Sequence, residues 1–178
     1  MKTLLYIFLA LPLFMTAQPT VFKIEPEKNG TVSYSGNLSD GVVLDNLSWA
    51  WSSQNACFPE TQRKKFTGSH VFFEGIIPTY SEMEVTVVPK DPKANFSIYA
   101  YQTGTNNEDL TPNLARCIRC EADHKRERNR VGRATQDHTR TVTNLVAINR
   151  PYRVVIVVVG AEGLTEGDFT LNVAMKSR

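Results

Sequence analysis

The alternation of apolar and polar residues along this 178-residue chain is the feature that most restricts its fold. In "EMEVTVVP" the residues Met83, Val85 and Val87 fall on one face of an extended chain, and Glu84 and Thr86 fall on the other. The same period of two recurs in "NFSIYAYQT" and "DFTLNVAM". Because successive side chains of a β-strand point to opposite faces, this period predicts strands that each cover a core with one face.

Turn signals divide the chain into strand-length runs. The segments "EKNG", "SDG", "TGTNN", "GAEG" and "TEG" separate the apolar runs from one another. The run at 152–159, "YRVVIVVV", is β-branched and apolar on both faces, which predicts a central strand. "LSWAWSS" predicts another strand, and residues 113–125 are the best candidate for a helix. The sequence therefore predicts an all-β, antiparallel β-sandwich of about eight or nine strands, since the crossover helices of a parallel α/β fold are missing.

The N-terminus has the three-part pattern of a secretory signal peptide. Lys2 precedes an apolar run at 4–14, and Ala17 offers a small residue for cleavage. We expect residues 1–17 to be removed and residues 18–178 to form a single domain, either secreted or in the periplasm or cell envelope, with no membrane span. Loss of Lys2 lowers the formal charge from +2 to +1, and this near-neutral charge argues against nucleic acid as a partner.

The strand motifs also follow a recognisable order. "HVFFEGIIP", "MEVTVVP" and "NFSIYAY" are followed by "PYRVVIVVVGAEGLTEGDFTLNV". Over about residues 66–173 this order resembles the bacterial pre-peptidase C-terminal domain family, whose members are secreted, jelly-roll-like β-sandwiches usually appended to proteases and other exported enzymes. The family often carries acidic residues before the strand that here reads "FSIYAY". The resemblance therefore implies calcium as an alternative ligand, although "DPKAN" at 91–95 departs from the family pattern. A long Cys- and Arg-rich insertion at 112–140 lies outside that pattern.

Three cysteines bear on this insertion. Export would place Cys57, Cys117 and Cys120 in an oxidising compartment, where thiols pair, and an odd number leaves one thiol over. We predict a disulfide from Cys57 to either Cys117 or Cys120. It would close a loop of roughly 60 residues, worth about 4 kcal/mol on a chain-entropy model. A local bridge between Cys117 and Cys120 is the alternative.

The same segment also allows a structural zinc site. Its ligands would be Cys117, Cys120 and His124, with either His138 or Cys57 as the fourth. Four nitrogen and sulfur ligands suit zinc, but zinc modules have two close ligand pairs and this chain has only one. A metal-binding module, with zinc or calcium, therefore stands as an alternative to a domain without a cofactor.

The insertion is strongly basic. Residues 111–140 hold eight Lys and Arg against four Asp and Glu, a net charge of +4. Arginine forks bind carboxylate, sulfate and phosphate groups. The candidate anion-binding residues are Arg116, Arg119, Arg126, Arg128, Arg130 and Arg133. The other interpretation is a solvated loop, and aromatic residues for stacking on nucleic acid bases are missing from the run.

Two aromatic pairs are candidate sugar platforms or core residues. Tyr99 and Tyr101 share the strand face opposite the apolar face, so we expect them to be exposed and able to stack on a glycan. Trp49 and Trp51 share a face with Leu47, which favours packing in the core.

The sequence holds no GxSxG elbow, HExxH helix or P-loop. Asp137 and His138 are adjacent, and neighbours on an extended chain point to opposite faces, so neither orients the other for base catalysis. We therefore expect a non-catalytic, exported β-sandwich module that binds a glycan or protein surface. The alternatives are a structural metal-binding module and a hydrolase whose site is assembled from loops.

Overall fold

The computed structural model describes residues 19–52, 54–126 and 137–178. These residues form ten strands in two packed sheets, together with four short 3₁₀ segments, and the predicted all-β sandwich is confirmed. The strands are β1 (Val21–Lys23), β2 (Gly30–Asn37), β3 (Val42–Val43), β4 (Ser69–Ile77), β5 (Ser81–Pro89), β6 (Phe96–Thr103), β7 (Arg119–Asp123), β8 (Arg140–Ala147), β9 (Tyr152–Gly160) and β10 (Asp168–Ser177). The 3₁₀ segments are Leu38–Asp40, Ser48–Trp51, Glu60–Phe66 and Ala161–Gly163. The predicted signal peptide, residues 1–17, lies outside the described residues.

The two sheets differ in size. Sheet A has the order β1-β4-β9-β6-β7, with β3 also paired to β4, and sheet B has the order β2-β10-β5-β8. Every described pair is antiparallel except β1 with β4, which is parallel. β9 lies between β4 and β6, so the prediction of a central strand at 152–159 is confirmed. The count exceeds eight or nine in part because β3 has only two residues, too few to show a period.

The main core lies between the two sheets and follows the alternation seen in the sequence. Met83, Val85 and Val87 of β5 are fully buried there. Phe96 and Ile98 of β6 face them from sheet A and are fully buried as well. The interior thus contains the residues that a period of two assigns to one face.

A second core covers the opposite face of sheet A. An irregular layer, built mainly from residues 44–52, 54–66 and 104–118, packs on this face. Its rings lie close together, with Trp49 at 5.1 Å from Tyr99 and Phe58 stacked at 3.8 Å on Phe66. Sheet A is therefore buried on both sides, which gives the domain three layers rather than two.

The prediction that Tyr99 and Tyr101 form an exposed sugar platform is wrong, because this covering layer buries both rings completely. The Tyr99 hydroxyl forms a 2.8 Å hydrogen bond with the hydroxyl of Thr111, and burial raises the pKa of both phenols. The alternation correctly placed both rings on the face opposite the main core. It could not show that a second layer lies over that face.

Two local assignments also change. "LSWAWSS" contains the 3₁₀ segment Ser48–Trp51 instead of a strand, so Trp49 is buried while Trp51 is half-buried, since 3₁₀ residues two apart do not share a face. The helix expected at 113–125 is absent, and β7 occupies part of that range instead. Pairing of β7 with β6 outweighs the weak helical preference of so short a segment.

Candidate functional site

A disulfide between Cys57 and Cys120 ties the covering layer to β7. The two Cα atoms lie 4.8 Å apart across a sequence separation of 63 residues. The predicted long-range bridge is therefore confirmed, and Cys120 rather than Cys117 is the partner. Cys117 is a half-buried free thiol whose Sγ atom lies 3.9 Å from the Asn55 carbonyl oxygen. Burial raises the pKa of Cys117, which keeps the thiol protonated and weakly nucleophilic.

The predicted zinc ligands do not come together. Cys120 forms the disulfide with Cys57, so its sulfur is not a free thiolate ligand. No group of three potential metal ligands occurs within the described ranges. The His124 ring packs against Phe66 at 5.8 Å, whereas His138 Nδ1 lies 3.1 Å from the side-chain oxygen of Asn95. The zinc site assigned to Cys117, Cys120, His124 and His138 is therefore wrong, because spacing along the chain did not reveal which thiol would be oxidised.

His70 is a core residue rather than a reactive one. It is fully buried, and its Nδ1 atom donates to the Gly68 carbonyl at 3.0 Å. Burial lowers the pKa of His70 from 6.5 to about 4. The imidazole is therefore neutral near pH 7 and cannot reach a ligand in solvent.

A buried ion network closes one end of sheet A. Arg153 Nε donates to the Glu74 carboxylate at 2.9 Å, and its NH1 group donates to the carbonyls of Asn107 (3.1 Å) and Asp109 (3.2 Å). The Lys23 ammonium pairs with the other oxygen of Glu74. The network lines a groove of about 730 Å³. Because most donors of Arg153 are satisfied within the protein, its role is to fix the 104–110 loop on the sheet.

A different groove, of about 640 Å³, lies at the start of β7 beside the connection from β8 to β9. We call it the Arg150 groove, and its lining residues are Gln102, Ile118, Arg119, Val146, Ile148, Asn149, Arg150 and Tyr152. Two of these residues are arginines, and none is acidic. Ile118 and Ile148 are each 50% exposed, so cationic and apolar groups meet solvent side by side.

Contacts within the groove orient both arginines. The Arg150 guanidinium lies 5.4 Å from the centre of the Tyr152 ring, and its Nε atom donates to the Tyr152 hydroxyl at 3.2 Å. Arg119 pairs with Glu121 of β7 at 3.2 Å. These contacts hold the charged heads near the groove while leaving further donors to meet an anion.

The predicted anion-binding residues divide into three groups. Arg119 lines the Arg150 groove, and Arg116 lines an adjoining groove of about 850 Å³ that also includes Arg150 and Cys117. Arg126 follows the far end of β7. The remaining three lie outside the described residues: Arg128, Arg130 and Arg133. Sequence reasoning missed Arg150, which stands alone in the turn "INRPY" and joins the others only through the pairing of β6 with β7 and β9.

The chemistry of the Arg150 groove suits the binding of an anionic ligand. Its described lining includes two arginines but no histidine, lysine, cysteine, aspartate or glutamate. Comparison with protein-family models, with curated proteins and with solved structures found no match to this chain. Within the described part of the chain, no helix is both long and apolar enough to span a membrane.

Proposed function

We propose that this chain is an exported, non-catalytic β-sandwich module that binds an acidic glycan or protein surface through the Arg150 groove. The observation that carries the proposal is the composition of that groove, where two arginines and two half-exposed isoleucines line an open surface without any acidic residue. The signal-peptide pattern and the resemblance to pre-peptidase C-terminal domains support export and a binding role.

The physical argument starts from rigidity. β6, β9 and the Cys57–Cys120 disulfide fix the positions of the groove walls, so a ligand does not have to order them on binding. Arginine forks then pair with carboxylate or sulfate groups, and the isoleucines cover apolar parts of the ligand. Since the groove is open to water, we expect moderate affinity that falls as the salt concentration rises.

Glycan arrays and pull-downs with the full chain, purified without reductant, test the proposal. Wild type should retain acidic ligands, and Arg150→Gln should weaken their binding about tenfold, as expected for the loss of one charge-assisted hydrogen bond. Lys28→Gln is the matched control, because this exposed lysine lies in the turn before β2, at the opposite edge of sheet B from β8. Screens that return no ligand, or an equal loss in the Lys28 variant, would contradict the proposal.

A further inference from the structure

A second group of basic side chains lies at the other end of β7. The ring of Phe66 packs at 5.8 Å against the ring of His124, which directly follows β7. This contact places the basic last turn of the Glu60–Phe66 segment beside the residues that follow His124. We call this group the Lys125 cluster, and its members are Arg63, Lys64, Lys125 and Arg126.

Positive charge is in excess at this cluster. Lys65, which is buried beneath it, forms a 2.9 Å ion pair with Glu162. Lys65 lowers the pKa of Glu162 through a hydrogen bond and its charge, and the positive charges of Lys125 and Lys64 add to the effect. This acid in contact with Lys65 is thus surrounded by further positive charge. Arg63 and Lys64 are exposed and Lys125 is half-buried, so the excess charge faces solvent.

The Lys125 cluster and the Arg150 groove lie at opposite ends of one edge strand. β7 pairs only with β6 among the described strands. Arg119 and Lys125 are six residues apart, which is at most about 20 Å at the rise of an extended chain. Glu121, the half-exposed acid between them, is paired with Arg119, and Asp123 accepts hydrogen bonds from the backbone N–H groups of His124 and Thr141. Both carboxylates on the path thus have partners within the protein.

The side chains along β7, from the Arg150 groove to the Lys125 cluster, favour one class of polyanion. Nucleic acid would stack its bases on several exposed aromatic rings. Among the described residues of the Arg150 groove, β7 and the Lys125 cluster, the one aromatic ring is that of half-buried Tyr152, and the Arg150 guanidinium already covers it. A protein partner would need a desolvated apolar centre, whereas the exposed isoleucines lie at one end only. A polysaccharide with a carboxylate or sulfate on each repeat can meet cations at both ends of β7.

We infer that the ligand is an acidic polysaccharide that lies along the β7 edge and contacts both the Arg150 groove and the Lys125 cluster. This inference rests on the proposed function, because the groove supplies one of the two contacts. A chain long enough to reach both sites gains avidity, since its second contact is intramolecular.

Oligomers of polygalacturonate test the inference with the full chain at fixed low salt. The decamer should bind about a hundredfold more tightly than the trimer, because only the decamer reaches both sites. Lys64→Gln/Lys125→Gln should abolish this gain, so that the decamer binds no more tightly to the variant than the trimer does. Arg150→Gln should weaken both oligomers, and Lys28→Gln should weaken neither.

The outcomes separate the two proposals. Equal affinity for trimer and decamer, with Arg150→Gln weakening both, overturns the inference and leaves the proposed function standing. Decamer binding that Arg150→Gln does not change overturns both. Polyaspartate of matched charge and single-stranded DNA are the comparison arms, and tighter binding of either one overturns the assignment to a polysaccharide.

Discussion

Replacing His70 with asparagine should remove a large part of the acid sensitivity of this fold. The native pKa of His70 is about 4, because burial disfavours its charged form, whereas the unfolded value is 6.5. Between these values the unfolded chain binds a proton that the native chain does not, so stability falls as the pH falls from 6.5 towards 4. The full difference of 2.5 units corresponds to roughly 3 kcal/mol. Asparagine keeps a donor for the Gly68 carbonyl but does not titrate.

Urea denaturation at about pH 7.5 and about pH 4.5 measures this effect. Between these two conditions wild type should lose about 2.5 kcal/mol more unfolding free energy than His70→Asn. The variant is expected to be less stable overall, since asparagine underfills the site, so the test is the pH dependence and not the absolute value. His138→Asn is the matched control and should change the pH dependence much less, because His138 is only partly buried. The reasoning would be refuted if, between the two pH values, the loss of unfolding free energy in wild type exceeded that in His70→Asn by less than about 0.5 kcal/mol.

Two further predictions concern stability. The double variant Cys57→Ser/Cys120→Ser should lose about 4 kcal/mol of unfolding free energy, because the bridge closes a loop of about 60 residues, whereas Cys117→Ser should cost little. Mass mapping with a thiol count checks the pairing, and a free thiol at Cys120 would contradict it. Arg153→Met should lower the free energy of unfolding, measured by urea denaturation, by about 3–5 kcal/mol. The reason is that it leaves the Glu74 carboxylate buried with only Lys23 as a partner. Adding Glu74→Met to Arg153→Met should recover part of that loss of unfolding free energy. If the losses of the two single variants simply add in the double variant, the two side chains do not interact, which would contradict the network.

Local patterns were sufficient to predict the sandwich and its main core. The alternation in β5 and β6 assigned Met83, Val85 and Val87 to the interior, and the apolar run at 152–159 marked the central strand. Both follow from the geometry of an extended chain, which depends only on neighbouring residues. The cysteine count, together with the expectation of export, likewise predicted one long-range bridge from Cys57.

Tertiary structure alone decided the outer layer and the candidate site. A strand pattern shows which side chains share a face, but whether a loop layer covers that face depends on residues far along the chain, as the burial of Tyr99 shows. The choice of Cys120 over Cys117 followed from the register of β7 against β6. The same pairing brought Arg150 beside Arg119 across 31 residues of sequence. Such juxtapositions arise from long-range packing, which no local period encodes, and they set the position of the proposed binding surface.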